Sequence, residues 1–229
     1  MIRLEKEGGL WIVTIDRRQK ANSLTRTMLE ELARIAEGAH EGARAFVITG
    51  AGKVFSAGAD LDEARAGLAS DPVWEHLSGA IASLPCLTIA ALNGTLAGGA
   101  FGMALACDLR IAVPGATFFY PVMKHGFLPQ PSDPARLAAI AGPSTAAMIL
   151  MAGARLSAEE ALRTGLIDRL TPADRLLDEA RSLAADNLTG NPEIAAQIRQ
   201  MLHTGHSFSR RDGGLRNLTK RNSEESHGK

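Results

Sequence analysis

The sequence predicts an α/β fold with stacked parallel strands, and three observations carry that prediction. Short apolar runs alternate with helical periodicity up to Pro134, with residues 43–49 and 87–92 reading as buried strands. Two of these runs end in exits rich in Gly and Ala, at residues 50–61 and 94–100. Beyond Pro134 the pattern is mostly helical. The second exit opens the stretch around which the chain is organised, residues 95–108. There Gly98 and Gly99 stand where a helix of small apolar residues begins. One reading is a tight turn before a core helix. The other is a backbone left bare so that another atom can approach the unpartnered first N–H groups of the helix. If the strands before the two exits are neighbours, both loops can supply N–H groups to one point, as an oxyanion hole requires.

The elements follow in order. Residues 2–6 and 10–16 flank Gly8-Gly9 as a hairpin. Residues 19–24 are polar and turn-like. Thr25 resembles a helix N-cap, with Met28, Leu29, Leu32 and Ile35 at helical spacing. Residues 63–84 are helical, interrupted near Asp71-Pro72. The strand at 87–92 leads through the Asn93-Gly94 turn to a helix at 99–106, followed by strands at 109–113 and 116–120. Residues 121–134 carry four prolines and read as a loop over a site. Helices are expected at 135–141 and 144–151. Ser157-Ala-Glu-Glu160 has the capping-box pattern of another helix start. Residues 168–170 are short and extended. Residues 172–188 and 192–202 read as amphipathic helices with Pro at the first turn. After residue 204 the chain turns polar and aperiodic, with the composition of partial disorder.

Composition excludes several function classes. The 229 residues fit one domain, with or without a small appendage. Lys+Arg and Asp+Glu are 25 each, so nothing in the charge balance calls for nucleic acid or an anionic membrane. No run approaches the roughly 18 apolar residues that span a bilayer, and the first residues lack the apolar core of a signal peptide. The two cysteines, Cys86 and Cys107, lie inside apolar runs and read as buried free thiols, with the cytoplasm as the natural compartment. The six histidines are scattered and no metal-ligand spacing is present.

The string Ile48-Thr-Gly-Ala-Gly-Lys-Val-Phe-Ser-Ala-Gly-Ala-Asp-Leu61, followed at this distance by the stretch from Asn93-Gly94 to Cys107-Asp108, resembles the crotonase superfamily of enoyl-CoA hydratases and isomerases. Asn22-Ser23-Leu24, the segment from Gly153 to Asp168 and Asn191-Pro192 add to the resemblance, which covers about residues 2 to 203. It implies a crotonase-like spiral of β-β-α repeats carrying two sheets, here residues 1–190, and a C-terminal helical trimerisation region, here residues 191–229 in shortened form. It also implies an acyl-CoA substrate, with coenzyme A as part of that substrate and no tightly bound cofactor, and a homotrimer or dimer of trimers. By position, the N–H groups of Ala59 and Gly99 would polarise the thioester carbonyl and hold the enolate. The adenine end of CoA would lie near Gln19, Lys20, Ala21, Asn22, Ala57, Asp60 and Leu61.

The departures from the pattern bear on the reaction. Hydratases of this superfamily use two glutamates, and the matching positions here are Gly102 and Val122. Simple hydration by that pair is therefore excluded, and Gly102 is expected to open space for a bulkier acyl group. Some isomerases take one acid from the later loop, at the position Gln130 occupies; Gln has no titratable group. Asp133 can replace it, and Tyr120 and His125 are the other reachable polar groups. Each has a plainer reading: a turn or N-cap residue for Asp133, core packing for Tyr120, a solvated loop for His125. His76 reads as an exposed helix residue. An isomerase-like or divergent reaction follows, needing one proton-shuttling group. The alternatives are decarboxylation, thioester hydrolysis, or a CoA-binding scaffold without chemistry. In family members a basic final helix closes over CoA; Lys220 and Arg221 are the residues here that could meet a phosphate.

Overall fold

A computed structural model describes residues 1–204. The hairpin is β1 (Ile2–Glu7) and β2 (Leu10–Ile15), followed by α1 (Arg26–Ala39), which Thr25 caps by accepting from the Met28 N–H. Then come β3 (Ala45–Gly50), β4 (Val54–Ser56), α2 (Leu61–Arg65) and α3 (Val73–Ala82). Next are β5 (Leu87–Leu92), β6 (Thr95–Ala97) and α4 (Phe101–Leu105). The following turn holds β7 (Leu109–Ala112), β8 (Thr117–Phe119), α5 (Val122–His125), α6 (Asp133–Ala141) and α7 (Pro143–Leu150). The chain closes with β9 (Leu156–Ser157), α8 (Ala158–Arg163), β10 (Arg169–Leu170), α9 (Leu176–Thr189) and α10 (Pro192–Thr204).

Two sheets result. The larger runs β1-β2-β3-β5-β7-β10, parallel apart from the opening hairpin; the smaller runs β4-β6-β8-β9, with only β9 antiparallel. The passes β3, β5 and β7 through the large sheet are each followed by a short strand in the small one (β4, β6 and β8) and then by helix, which is the β-β-α spiral. Every residue of β2 and β3 is buried, as helices on both faces of a parallel sheet demand. The short strands β4 and β6 fall inside the two Gly/Ala exits, where the sequence predicts no strand. Helix α3 begins after the Asp71-Pro72 interruption, and the Ser157 capping box is formed in full. The predicted loop at 121–134 contains the single-turn helix α5 and hands over to α6 at Asp133.

The packing registers the two exits against each other. Asn93 accepts from the Gly50 N–H at 2.9 Å and donates to the Gly52 and Val54 carbonyls, tying the end of β3 to the end of β5. Asn22 donates to the Ala51 and Val54 carbonyls at 2.9 and 2.7 Å from the other side. Both side chains replace strand pairing that the sharp exits cannot provide. Helix α10 is fastened to the core by Arg199, whose Nε meets both Asp108 carboxylate oxygens at 3.0 and 2.9 Å. Its Nη1 donates to the Ala82 and Leu84 carbonyls. Cys86 and Cys107 are free and buried, and burial pushes their thiols up to about 11 and about 12, so neither is a thiolate at neutral pH. No helix among the described residues is long and apolar enough to cross a membrane, and those residues hold no His/Cys/Asp/Glu group fit for a metal. Lys220 and Arg221 lie outside the described residues.

Candidate active site

The two strand exits meet. Gly58 has φ +90°, and a Cβ there would stand 2.9 Å from the Ala97 carbonyl oxygen and 3.4 Å from the Gly98 Cα, so only glycine lets the loops come this close. Leu24 forms a parallel bridge to Ala59 in which the Leu24 N–H donates to the Gly58 carbonyl and the Asp60 N–H donates to the Leu24 carbonyl. That pattern uses the groups on either side of the Ala59 N–H and leaves it outside the bridge. Gly99 lies in a 3₁₀ turn, Gly98–Ala100, that runs into α4, where the leading N–H groups have no partner within the helix.

Ala57, Ala59, Leu61, Gly98 and Gly99 line one cavity of about 390 Å³. Trp74, Phe119, Tyr120, Val122, His125, Phe127 and Leu128 form its other walls. Of the sequence-derived candidates, the cavity therefore gathers Ala57, Ala59, Leu61, Gly99, Tyr120 and His125. Gln19, Lys20 and Ala21 are exposed and stand outside its lining. Asn22 is fully buried and spent on the backbone bonds described above. Asp60 is bound by Arg17 Nη1 at 2.6 Å and caps α2 by accepting from the Asp62 N–H; the Arg17 contact holds its carboxyl below the usual carboxylate range. Asn22 and Asp60 thus brace the loop. His76 is exposed and pairs with Glu37, in line with its plain reading.

Asp133 and Gln130 sit behind the wall. The Tyr120 hydroxyl donates to Asp133 Oδ2 at 3.0 Å, and the Gln130 backbone N–H reaches the Tyr120 oxygen at 3.4 Å. Gln130 turns its amide away to the Ala69 carbonyl. Asp133 is fully buried, and its Oδ1 has no hydrogen-bond partner. A Cβ on Gly102 would stand 3.0 Å from that Oδ1. The space beside Gly102 is therefore occupied by the Asp133 carboxyl, and the expectation that it is open to the acyl group is corrected. Asp133 is the first helical residue of α6, with Ser132 at the cap position, so the cap reading of Asp133 does not hold either.

Burial pushes the Asp133 carboxyl up to about 7; the Tyr120 hydroxyl and Arg136 pull it partly back, and Glu75 adds to the rise. Burial, with Asp133 beside it, pushes the Tyr120 phenol well above its ordinary value. Tyr120 also stacks on Phe101, with ring centroids 5.4 Å apart. A buried carboxyl pushed up to about 7, bonded to the hydroxyl of a tyrosine that lines a cavity, is an arrangement suited to moving a proton. Trp74, Phe119, Phe127 and Leu128 were not singled out from sequence. On an apolar helix such as α3, a Trp reads as core.

A spiral of β-β-α turns with two glycine-bearing exits converging on one cavity defines the crotonase class of fold. The family model for enoyl-CoA hydratase/isomerase matches residues 5–225. A carnitinyl-CoA dehydratase of Salmonella arizonae is 36% identical over 93% of this chain and 84% of its own length. A probable enoyl-CoA hydratase of Rhodobacter capsulatus is 34% identical over 90% of this chain and 82% of its own. Among solved structures, the enoyl-CoA hydratase from Bacillus anthracis superposes with a TM-score of 0.84 at 28% identity, covering 100% of this chain and 92% of that one. The chain belongs to the enoyl-CoA hydratase/isomerase family.

Proposed function

We propose that the protein acts on an acyl-CoA thioester by forming an oxyanion-stabilised enolate and moving one proton through Tyr120 and Asp133. The observation that carries this reading is the Tyr120–Asp133 hydrogen bond at the cavity wall, close to the converging exits. The thioester oxygen is received by the N–H groups of Ala59 and Gly99, each such donor being worth about 2.7–4 kcal/mol in a transition state. The phenol oxygen takes a proton from the acyl carbon as its own proton passes to Asp133 Oδ2. Reversal of the transfer delivers the proton to a different carbon. The high phenol pKa is consistent with a coupled transfer, because a free phenolate is too costly there. Coenzyme A runs along the exposed face near Gln19, Lys20 and Ala21, toward Ala57 and Leu61. The subunits assemble as a trimer or a dimer of trimers.

One proton group serves a double-bond shift, whereas adding water needs a second group to orient the nucleophile. With Gly102 and Val122 at the two hydratase positions, an isomerase-like reaction is favoured. Its test is to supply 3-enoyl-CoA and 2-enoyl-CoA separately. Conjugation of the first without hydration of the second is the expected result. Rapid hydration of the second, as the names of the similar proteins would have it, excludes the isomerase-like assignment.

A further inference from the structure

We infer that Trp74 closes the deep end of the cavity and restricts the protein to short acyl groups, an inference that rests on the acyl-CoA reading above. The cavity has a rim and a floor that differ sharply in exposure. Leu61 and Leu128 at the rim are 70% and 87% exposed, whereas Trp74 and Tyr120 are 3% and 4% exposed. An acyl chain whose carbonyl lies at Ala59 and Gly99 therefore runs inward against Trp74 and Tyr120.

That floor cannot easily give way. A Cβ on Gly99 would meet the Trp74 ring atoms Cδ2 and Cε3 at 3.2 Å, so the indole lies directly against the backbone of the proposed donor. The indole N–H donates to the Leu68 carbonyl at 2.8 Å, which fixes the ring in its plane. The segment on either side of Trp74 is tied to the chain entering α6. Gln130 donates its amide to the Ala69 carbonyl at 3.2 Å. Ser132 donates both its N–H and its hydroxyl to the Glu75 carboxylate. The Tyr120 side is backed by Phe101 and Asp133, and the place beside Gly102 is filled. On this side a longer chain meets Trp74, Tyr120 and the groups that back them, and a close-packed wall rejects an added methylene rather than yielding to it.

Equilibrium binding tests this apart from the reaction. Calorimetry with CoA, butyryl-CoA and decanoyl-CoA is expected to show the wild-type protein favouring butyryl-CoA at least tenfold over decanoyl-CoA. Trp74→Ala should erase or invert that ratio while leaving the affinity for CoA itself unchanged. Trp74→Phe, which keeps an aromatic ring at this position of α3, should fall between, so that the ratio and not overall stability carries the conclusion. Equal binding of the two thioesters by the wild type, or an unchanged ratio in Trp74→Ala, overturns the inference. If neither CoA nor any thioester binds, the acyl-CoA reading itself fails and this inference falls with it.

Discussion

Asp133→Asn is expected to lower turnover by at least about tenfold, the lower range for loss of a placed acid–base group, while leaving CoA affinity unchanged. Asn keeps the shape and can still accept from the Tyr120 hydroxyl, but it cannot take the proton. The pH dependence distinguishes this from a packing defect. In the proposed mechanism the carboxylate form of Asp133 drives proton abstraction, so kcat/KM rises with pH through about 7. The variant loses that limb. Stability moves the opposite way. The carboxyl rises from 3.8 to about 7 on folding, so between those values the folded protein holds a proton that the unfolded chain releases. Stability from this group is complete below about 4 and is lost as pH rises through about 7. Asp133→Asn removes that loss, so its melting temperature should gain on the wild type between pH 5 and pH 8. A variant with normal turnover and an unchanged kcat/KM profile would transfer the proton role to His125 or solvent.

Arg199→Ala is expected to cost about 3–5 kcal/mol, the range for removing one partner of a buried ion pair. The Arg199 side chain is 9% exposed and Asp108 is 14% exposed. Removing the guanidinium takes from the Asp108 carboxylate the cation that meets both its oxygens, while the Thr88 N–H and hydroxyl still donate to it, each at 2.9 Å. The Ala82 carbonyl at the end of α3 and the Leu84 carbonyl just beyond it lose this donor as well. Chemical denaturation should show a lower midpoint with little change in slope. Because Asp108 and the carbonyls lie away from the cavity lining, butyryl-CoA affinity should be preserved below the transition. A loss below about 1 kcal/mol would mean that solvent reaches Asp108 and that α10 is not fastened by this pair.

Much of this architecture was legible from residue types alone. Thr25 and the Ser157-to-Glu160 box marked helix starts because capping is a local hydrogen bond within a few residues. The buried strands at 45–50 and 87–92 showed as continuous apolar runs, and the two Gly/Ala exits drew attention to the residues that line the cavity. The short strands β4 and β6 escaped because three residues cannot display a period. The Asp133 environment escaped for a different reason. Its burial and its approach to Gly102 arise from α6 packing on α4, elements distant in sequence, and nothing local to either residue announces that contact. Trp74 was hidden by the same ambiguity, since a cavity wall and a core position use the same apolar side chain. Asn22 and Asp60 matched the resemblance by position, yet their side chains brace the loop through Ala51, Val54 and Arg17.

In the proposed mechanism the converging exits stabilise an enolate while Tyr120 and Asp133 move its proton. Exchange of the α-protons of butyryl-CoA in deuterium oxide, followed by mass spectrometry, tests it without requiring the natural substrate. The wild-type protein should catalyse exchange above the buffer rate, and Tyr120→Phe should slow it at least about tenfold. Tight binding of butyryl-CoA with no exchange above the buffer rate would contradict the account.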